Sequence, residues 1–162
     1  METVTVAVGS NLGNRLKTIR KAGEFLSGLS VSPIKKASVW ESEPVGKAKY
    51  RFYNTTAEIS TELSPAQLLE KLKSFEQACG REENPVRWGP RILDLDIIRY
   101  DNLVMQNEEL VIPHPEYSKR LFVLLPMAEI NETWLDPITQ TPISEMIKNA
   151  PEIDIQKTDL NW

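Results

Sequence analysis

The spacing of apolar residues changes several times along the chain, and each change predicts a new element. Residues 4–8, "VTVAV", form a short β-branched run that reads as a buried strand. "GSNLGN" interrupts it. Leu16, Ile19, Gly23, Leu26 and Leu29 then recur at intervals of three and four, which predicts a helix over about 14–28. A second strand fits 33–42 and a third fits 52–61. In the third, Tyr53, Thr55, Ala57 and Ile59 alternate with Phe52, Asn54, Thr56 and Glu58, so Asn54 shares a face with Phe52. "SPAQ" at 64–67 starts a helix: Ser64 is its N-cap, Pro65 its first position, and Gln67 completes a capping box. Leu68, Leu72, Phe75 and Cys79 make the apolar stripe, and Gly80 suits the end. A fourth strand is expected over 93–100 and a short one at 103–105. A helix over 117–125 should stop at Pro126, and a weak helix should form near 142–149.

Strand, helix, strand, strand, helix, strand is the order of an α+β, ferredoxin-like βαββαβ core: a mostly antiparallel sheet with helices packed on it, here with a C-terminal extension. No repeat or linker divides the chain, so residues 1–162 are expected to form a single domain. The connection 43–51 is long for a hairpin and carries Lys47, Lys49 and Arg51, which predicts a mobile loop over a site.

Composition narrows the class. At 162 residues the chain can bury about two thirds of its unfolded surface without a staple. The lone Cys79 cannot form an internal disulfide and reads as a core residue. A formal net charge of −4 argues against a protein that coats nucleic acid, because that binding rests on surplus Lys and Arg. There is no basic leader running into an apolar stretch, and no run nears the roughly 18 apolar residues that span a bilayer. A cytoplasmic protein with no membrane partner is therefore expected, with a monomer favoured.

Against this background one stretch carries chemistry: "RWGPRILDLDII", residues 87–98. In an extended chain Asp94 and Asp96 project from one side while Leu93, Leu95 and Ile97 project from the other. Two carboxylates that close repel unless a cation sits between them. With only oxygen ligands nearby, magnesium or manganese suits them better than zinc, and Arg87 and Arg91 could meet the phosphates such an ion brings. A surface strand with ordinary ion pairs would carry the same D-x-D. Both standard glycine-rich phosphate loops are absent, so arginines and metal would have to hold a nucleotide. "GSNLG" at 9–13 is either a set of amides at a helix start or a turn chosen for its geometry. His114, fixed between two prolines in "IPHPE", is either structural or a donor aimed at phosphate, with Lys119 and Arg120 close behind.

These stretches together resemble the 6-hydroxymethyl-7,8-dihydropterin pyrophosphokinase family of folate biosynthesis. "RWGPRILDLDII" carries the resemblance, and "VAVGSNLGNR", "SEPVG" followed by "FYN", Glu76 to Arg81, and "IPHPEYSKRLFVLLP" agree in order and spacing. The likeness runs from about residue 4 to 126. It implies a ferredoxin-like transferase, a kinase moving pyrophosphate from ATP to the pterin's hydroxymethyl group and releasing AMP with two Mg2+ ions. By the same resemblance Asp94 and Asp96 would bridge both ions, and Arg81, Arg91, His114 and Arg120 would contact the phosphates. Glu76 and Ile97 would lie on the ATP side. Ser42, Pro44, Val45, Phe52, Asn54, Trp88 and Phe122 would line the pterin site. Glu43, Glu83, Glu109 and Val111 stand where members of the family often carry proline, arginine or threonine, which bears on ATP affinity and loop behaviour. A single-stranded RNA-binding module shares the element order, but "FYNTTAEI" lacks its basic and glycine pattern. A different D-x-D magnesium enzyme would be separated by its products.

Overall fold

The computed structural model describes residues 1–44, 50–80 and 92–162. Strand β1 (Glu2–Ser10) runs up the middle of the sheet, antiparallel to β4 (Phe52–Thr61) on one side and to β5 (Asp94–Tyr100) on the other. Beyond β4 lie β3 (Trp40–Ser42) and β8 (Ile155–Lys157), giving the order β5-β1-β4-β3-β8, and β2 (Lys35–Lys36) pairs with the far end of β4. A separate hairpin joins β6 (Met105–Gln106) to β7 (Val111–Ile112).

Helices α1 (Arg15–Leu29) and α2 (Pro65–Ala78) cover one face of the sheet. Ile19, Ala22, Leu26, Leu68 and Leu72 pack there on Val4, Val6, Val8, Ala57, Ile59, Leu95 and Ile97, as the strand alternation requires. The α2 start has the expected chemistry: the Gln67 amide donates to Ser64 Oγ at 3.2 Å, and Gln67 Oε1 accepts from the Ser64 amide at 2.9 Å. At its other end Gly80 takes φ +98°, a conformation that suits glycine. Cys79 packs against this core, and burial pushes its thiol pKa up, as befits a structural residue.

Three expectations need correction. The strand over 33–42 is broken, because the Ser38 amide turns away from β4 to the Glu129 carboxylate at 3.2 Å. The helix over 117–125 is a single 3-10 turn, Tyr117–Lys119, followed by α3 (Leu121–Ile130), which passes through Pro126. One lost N–H bond is tolerated there because Val123, Leu124, Pro126 and Met127 are all buried, and tertiary packing outweighs local propensity. The C-terminal extension holds more than a weak helix. Helix α4 (Ile143–Asn149) packs with α3 on the second face of the sheet, around Ile98, Tyr117 and Trp134, and β8 adds an edge strand.

Candidate active site

Helices α3 and α4 cover only part of the second face, and the ladder of side chains beside them is set by register. Residues opposite each other in an antiparallel pair share a face. Asp94 lies opposite Gly9, Gly9 opposite Asn54, and Asn54 opposite Trp40. In the next row Asp96 lies opposite Ala7, and Ala7 opposite Thr56. On the other side of Asn54, Phe52 lies opposite Ser42. Both aspartates, Asn54, Phe52 and Ser42 thus occupy one face, with two small residues between the carboxylates and β4.

Each position has a local cause. A Cβ on Gly9 would sit 3.3 Å from Asn54 Oδ1, so the bare glycine leaves the Asn54 amide room to lie across β1. The Asn54 Nδ2 donates to Ser42 Oγ at 2.7 Å, which orients the amide from the β3 side. A register shift between Thr5 and Val6 inserts Ile98 as an extra residue in β5, so Ile98 and Arg99 both lie on the α3 side, Arg99 with its guanidinium 4.7 Å from the Trp134 ring centre, while Asp94 and Asp96 keep the open face.

On the outer edge of β5, Glu76 is fully buried, and its carboxylate accepts the Leu95 amide at 3.0 Å while pairing with Lys73 at 3.0 Å. Lys73 also reaches the Leu95 carbonyl at 3.4 Å. The residue between the two aspartates is thereby held from α2. Sequence reasoning missed Lys73, although its place one turn before Glu76 on a capped helix could have flagged it.

His114 approaches from the β7–α3 connection. Its amide donates to the Ile98 carbonyl at 2.9 Å, and Nδ1 accepts the Glu116 amide at 3.1 Å, leaving Nε2 to carry the proton of the neutral ring. Burial lowers the His114 pKa, Asp96 opposes that shift, and Arg120 reinforces it, so the imidazole feels both charges. Arg120 stands immediately before α3 with its guanidinium 5.7 Å from the Phe122 ring centre. Tyr117, buried between His114 and Arg120, donates to Asp136 Oδ2 at 2.5 Å, and the Trp134 indole donates to the Tyr117 hydroxyl at 3.3 Å, so this segment is anchored from behind.

The fold therefore brings Asp94, Asp96, Ser42, Phe52 and Asn54 onto one face and sets His114 within electrostatic reach of Asp96 and Arg120. Pro44 follows β3 at an exposed position. Ile97 is placed differently: its side chain is 3% exposed within the α1–α2 core, so only its backbone on the β5 edge remains for a ligand. Val45, Arg81, Arg87, Trp88, Arg91 and Glu83 lie outside the described residues, as does most of the expected 43–51 loop. Among the described residues no group of three or more His, Cys, Asp or Glu could form an all-protein metal cage. A carboxylate pair that leaves further ligands to phosphate and water suits magnesium. No described helix is long and apolar enough to cross a membrane.

Comparison with known proteins identifies the family. Residues 5–132 match the family described as 7,8-dihydro-6-hydroxymethylpterin-pyrophosphokinase (HPPK). The chain is 42% identical over 127 residues to the 2-amino-4-hydroxy-6-hydroxymethyldihydropteridine pyrophosphokinase of Bacillus subtilis, covering 77% of this chain and 75% of that one. With the Aquifex aeolicus protein of the same name it shares 37% identity over 149 residues, 90% of each chain. It is 36% identical to the folic acid synthesis protein fol1 of Pneumocystis carinii over 96% of its own length but spans only 21% of that protein. A Plasmodium falciparum HPPK-DHPS structure superposes with a TM-score of 0.72 at 14% identity, over 91% of this chain and 44% of that one, a likeness of fold. With the family matched over most of its length, the chain belongs to the 7,8-dihydro-6-hydroxymethylpterin pyrophosphokinases, ATP-dependent transferases of folate synthesis that move pyrophosphate onto the pterin's hydroxymethyl group.

Proposed function

We propose that residues 1–162 work as one cytoplasmic, monomeric pyrophosphokinase domain, and that Asp94 and Asp96 hold its two magnesium ions. The observation that carries this reading is the pair of rows Asp94–Gly9–Asn54 and Asp96–Ala7–Thr56, which puts two carboxylates beside small residues and an oriented amide. Bound there, magnesium would neutralise phosphate charge and bring attacking and leaving oxygens together. The chain's own residues do the rest. Arg81, Arg87, Arg91, His114 and Arg120 meet the phosphates, and Glu76 and the Ile97 backbone lie on the ATP side. Ser42, Pro44, Val45, Phe52, Asn54, Trp88 and Phe122 receive the pterin.

Because pyrophosphate moves as a unit and AMP departs, the hydroxymethyl oxygen bonds to the β-phosphorus of ATP while the bond from that phosphorus to the α-phosphate bridging oxygen breaks. The hydroxyl proton is released to water as the new bond forms. Charge spread over phosphoryl oxygens is met by fixed donors rather than by covalent catalysis. His114 suits that task, since its Nδ1 is engaged and its Nε2–H is the remaining donor.

Asp94→Asn and Asp96→Asn test the assignment. Each should abolish formation of AMP and pyrophosphorylated pterin while the metal-free protein melts at or above the wild-type temperature, because a carboxylate repulsion is relieved. Near-normal product formation in both variants overturns it.

A further inference from the structure

A polar clasp at the sheet margin, beyond the reacting groups, ties the C-terminal segment to both sides of the pterin face. Strand β3 pairs with β4 and β8 at once, and Ser42 is opposite Phe52 on one side and Ile155 on the other. Just past this row the Glu43 amide donates to the Asp154 carbonyl at 2.9 Å, and the Asp154 amide donates back to the Glu43 carboxylate at 2.9 Å. Arg51, the residue before Phe52, places Nη1 3.0 Å from Asp154 Oδ2 and Nε 2.9 Å from Glu41 Oε1. The Arg51 carbonyl in turn accepts from Arg15 Nη1 at 2.6 Å, which fastens the same point to the start of α1.

We infer that Glu43 and Arg51 are positioning residues for the pterin site: the clasp Glu43–Asp154–Arg51 holds the end of β3 against the start of β4, so that Ser42 keeps Asn54 oriented and Phe52 stays beside them. This inference rests on the pterin-site assignment above. A lone surface ion pair would do little here. Here the Asp154 backbone carbonyl and N–H engage the amide and carboxylate of Glu43, its own carboxylate takes the Arg51 guanidinium, and Arg51 adds Glu41 and, through its carbonyl, Arg15, so four segments of the chain meet at one place. Residue 43 is informative: a proline there has no N–H to give Asp154, whereas Glu43 supplies both an N–H and a carboxylate. Serine and asparagine specify a ligand edge only if their hydroxyl and amide are held within a few tenths of an ångström, and Ser42 sits on a strand three residues long.

Steady-state kinetics on Glu43→Ala and Arg51→Met, with Asn54→Ala alongside, test the inference. Both clasp variants should raise the pterin KM about five-fold and leave kcat and the ATP KM within about two-fold, whereas Asp154→Ala, which keeps both backbone bonds to Glu43, should raise it less than Arg51→Met does. Glu43→Gln, which keeps an acceptor for the Asp154 amide, should restore the wild-type pterin KM. An unchanged pterin KM in the clasp variants, with Asn54→Ala raising it, overturns the clasp and leaves the pterin site standing. An unchanged pterin KM in all three overturns the site assignment and the clasp with it. Equal losses for pterin and ATP overturn the clasp as a positioning device.

Discussion

Replacing Glu76 should reveal a brace behind the two aspartates. Its carboxylate is fully buried, takes the Leu95 amide at 3.0 Å and pairs with Lys73 at 3.0 Å. In Glu76→Ala the Leu95 amide loses its acceptor, and a hydrogen bond to a charged partner is worth about 1.5–3 kcal/mol. Lys73 is partly solvated, so the lost pairing adds no more than about 1 kcal/mol. A total near 3 kcal/mol at 162 residues corresponds to a fall in melting temperature of about 6–12 °C. Glu76→Gln keeps an acceptor for Leu95 but not the charge, and should lose about half as much. Because Leu95 separates Asp94 from Asp96, Glu76→Ala should also depress kcat. Thermal melts without ligand, then with magnesium and ATP, separate bracing from any direct nucleotide contact. A ligand-free Glu76→Ala protein melting within about 2 °C of wild type would refute the reasoning.

Phe52 and Phe122, proposed to receive the pterin, should act on pterin alone: Phe52→Ala and Phe122→Ala should each weaken pterin binding about ten-fold by calorimetry with ATP binding unchanged, and equal weakening of both ligands would show the rings to be core. Asp136→Asn tests the anchor under the His114–Arg120 segment. Burial pushes the Asp136 carboxyl up, but hydrogen bonds from the Tyr117 hydroxyl, the Thr139 and Ile138 amides and the Thr139 hydroxyl outweigh it and hold the pKa below its ordinary 3.8. A depressed folded pKa gives stability that is full above the unfolded value and lost as pH falls through the folded one. Urea unfolding should therefore show Asp136→Asn about 2 kcal/mol less stable at pH 7, with the gap narrowing below pH 3.8, and a pH-independent gap would exclude the charge.

Much of this protein was legible in its sequence because the relevant physics is local. The alternation at 52–61 returned as β4 over the same residues, with Phe52 and Asn54 on one face. The α2 cap was written in Ser64, Pro65 and Gln67, and "DLD" on an apolar strand already placed both aspartates opposite the core. The fold class followed from element order, and the chemistry from a signature whose residues lie close together in the chain. What depended on distant segments was not legible. Pro126 stops a helix in isolation, yet packing against the sheet carries α3 through it. Strand alternation already turned Ile97 away from the aspartates, but only the sheet showed that α1 and α2 cover it. Lys73 and Glu76 meet β5 across about 20 residues, and Asp154 meets Glu43 across 111 and Arg51 across 103. No periodicity marks Asp154, because a residue that meets Glu43, just past β3, through its backbone and Arg51, just before β4, through its carboxylate gains its role only when the sheet has already brought those strands together.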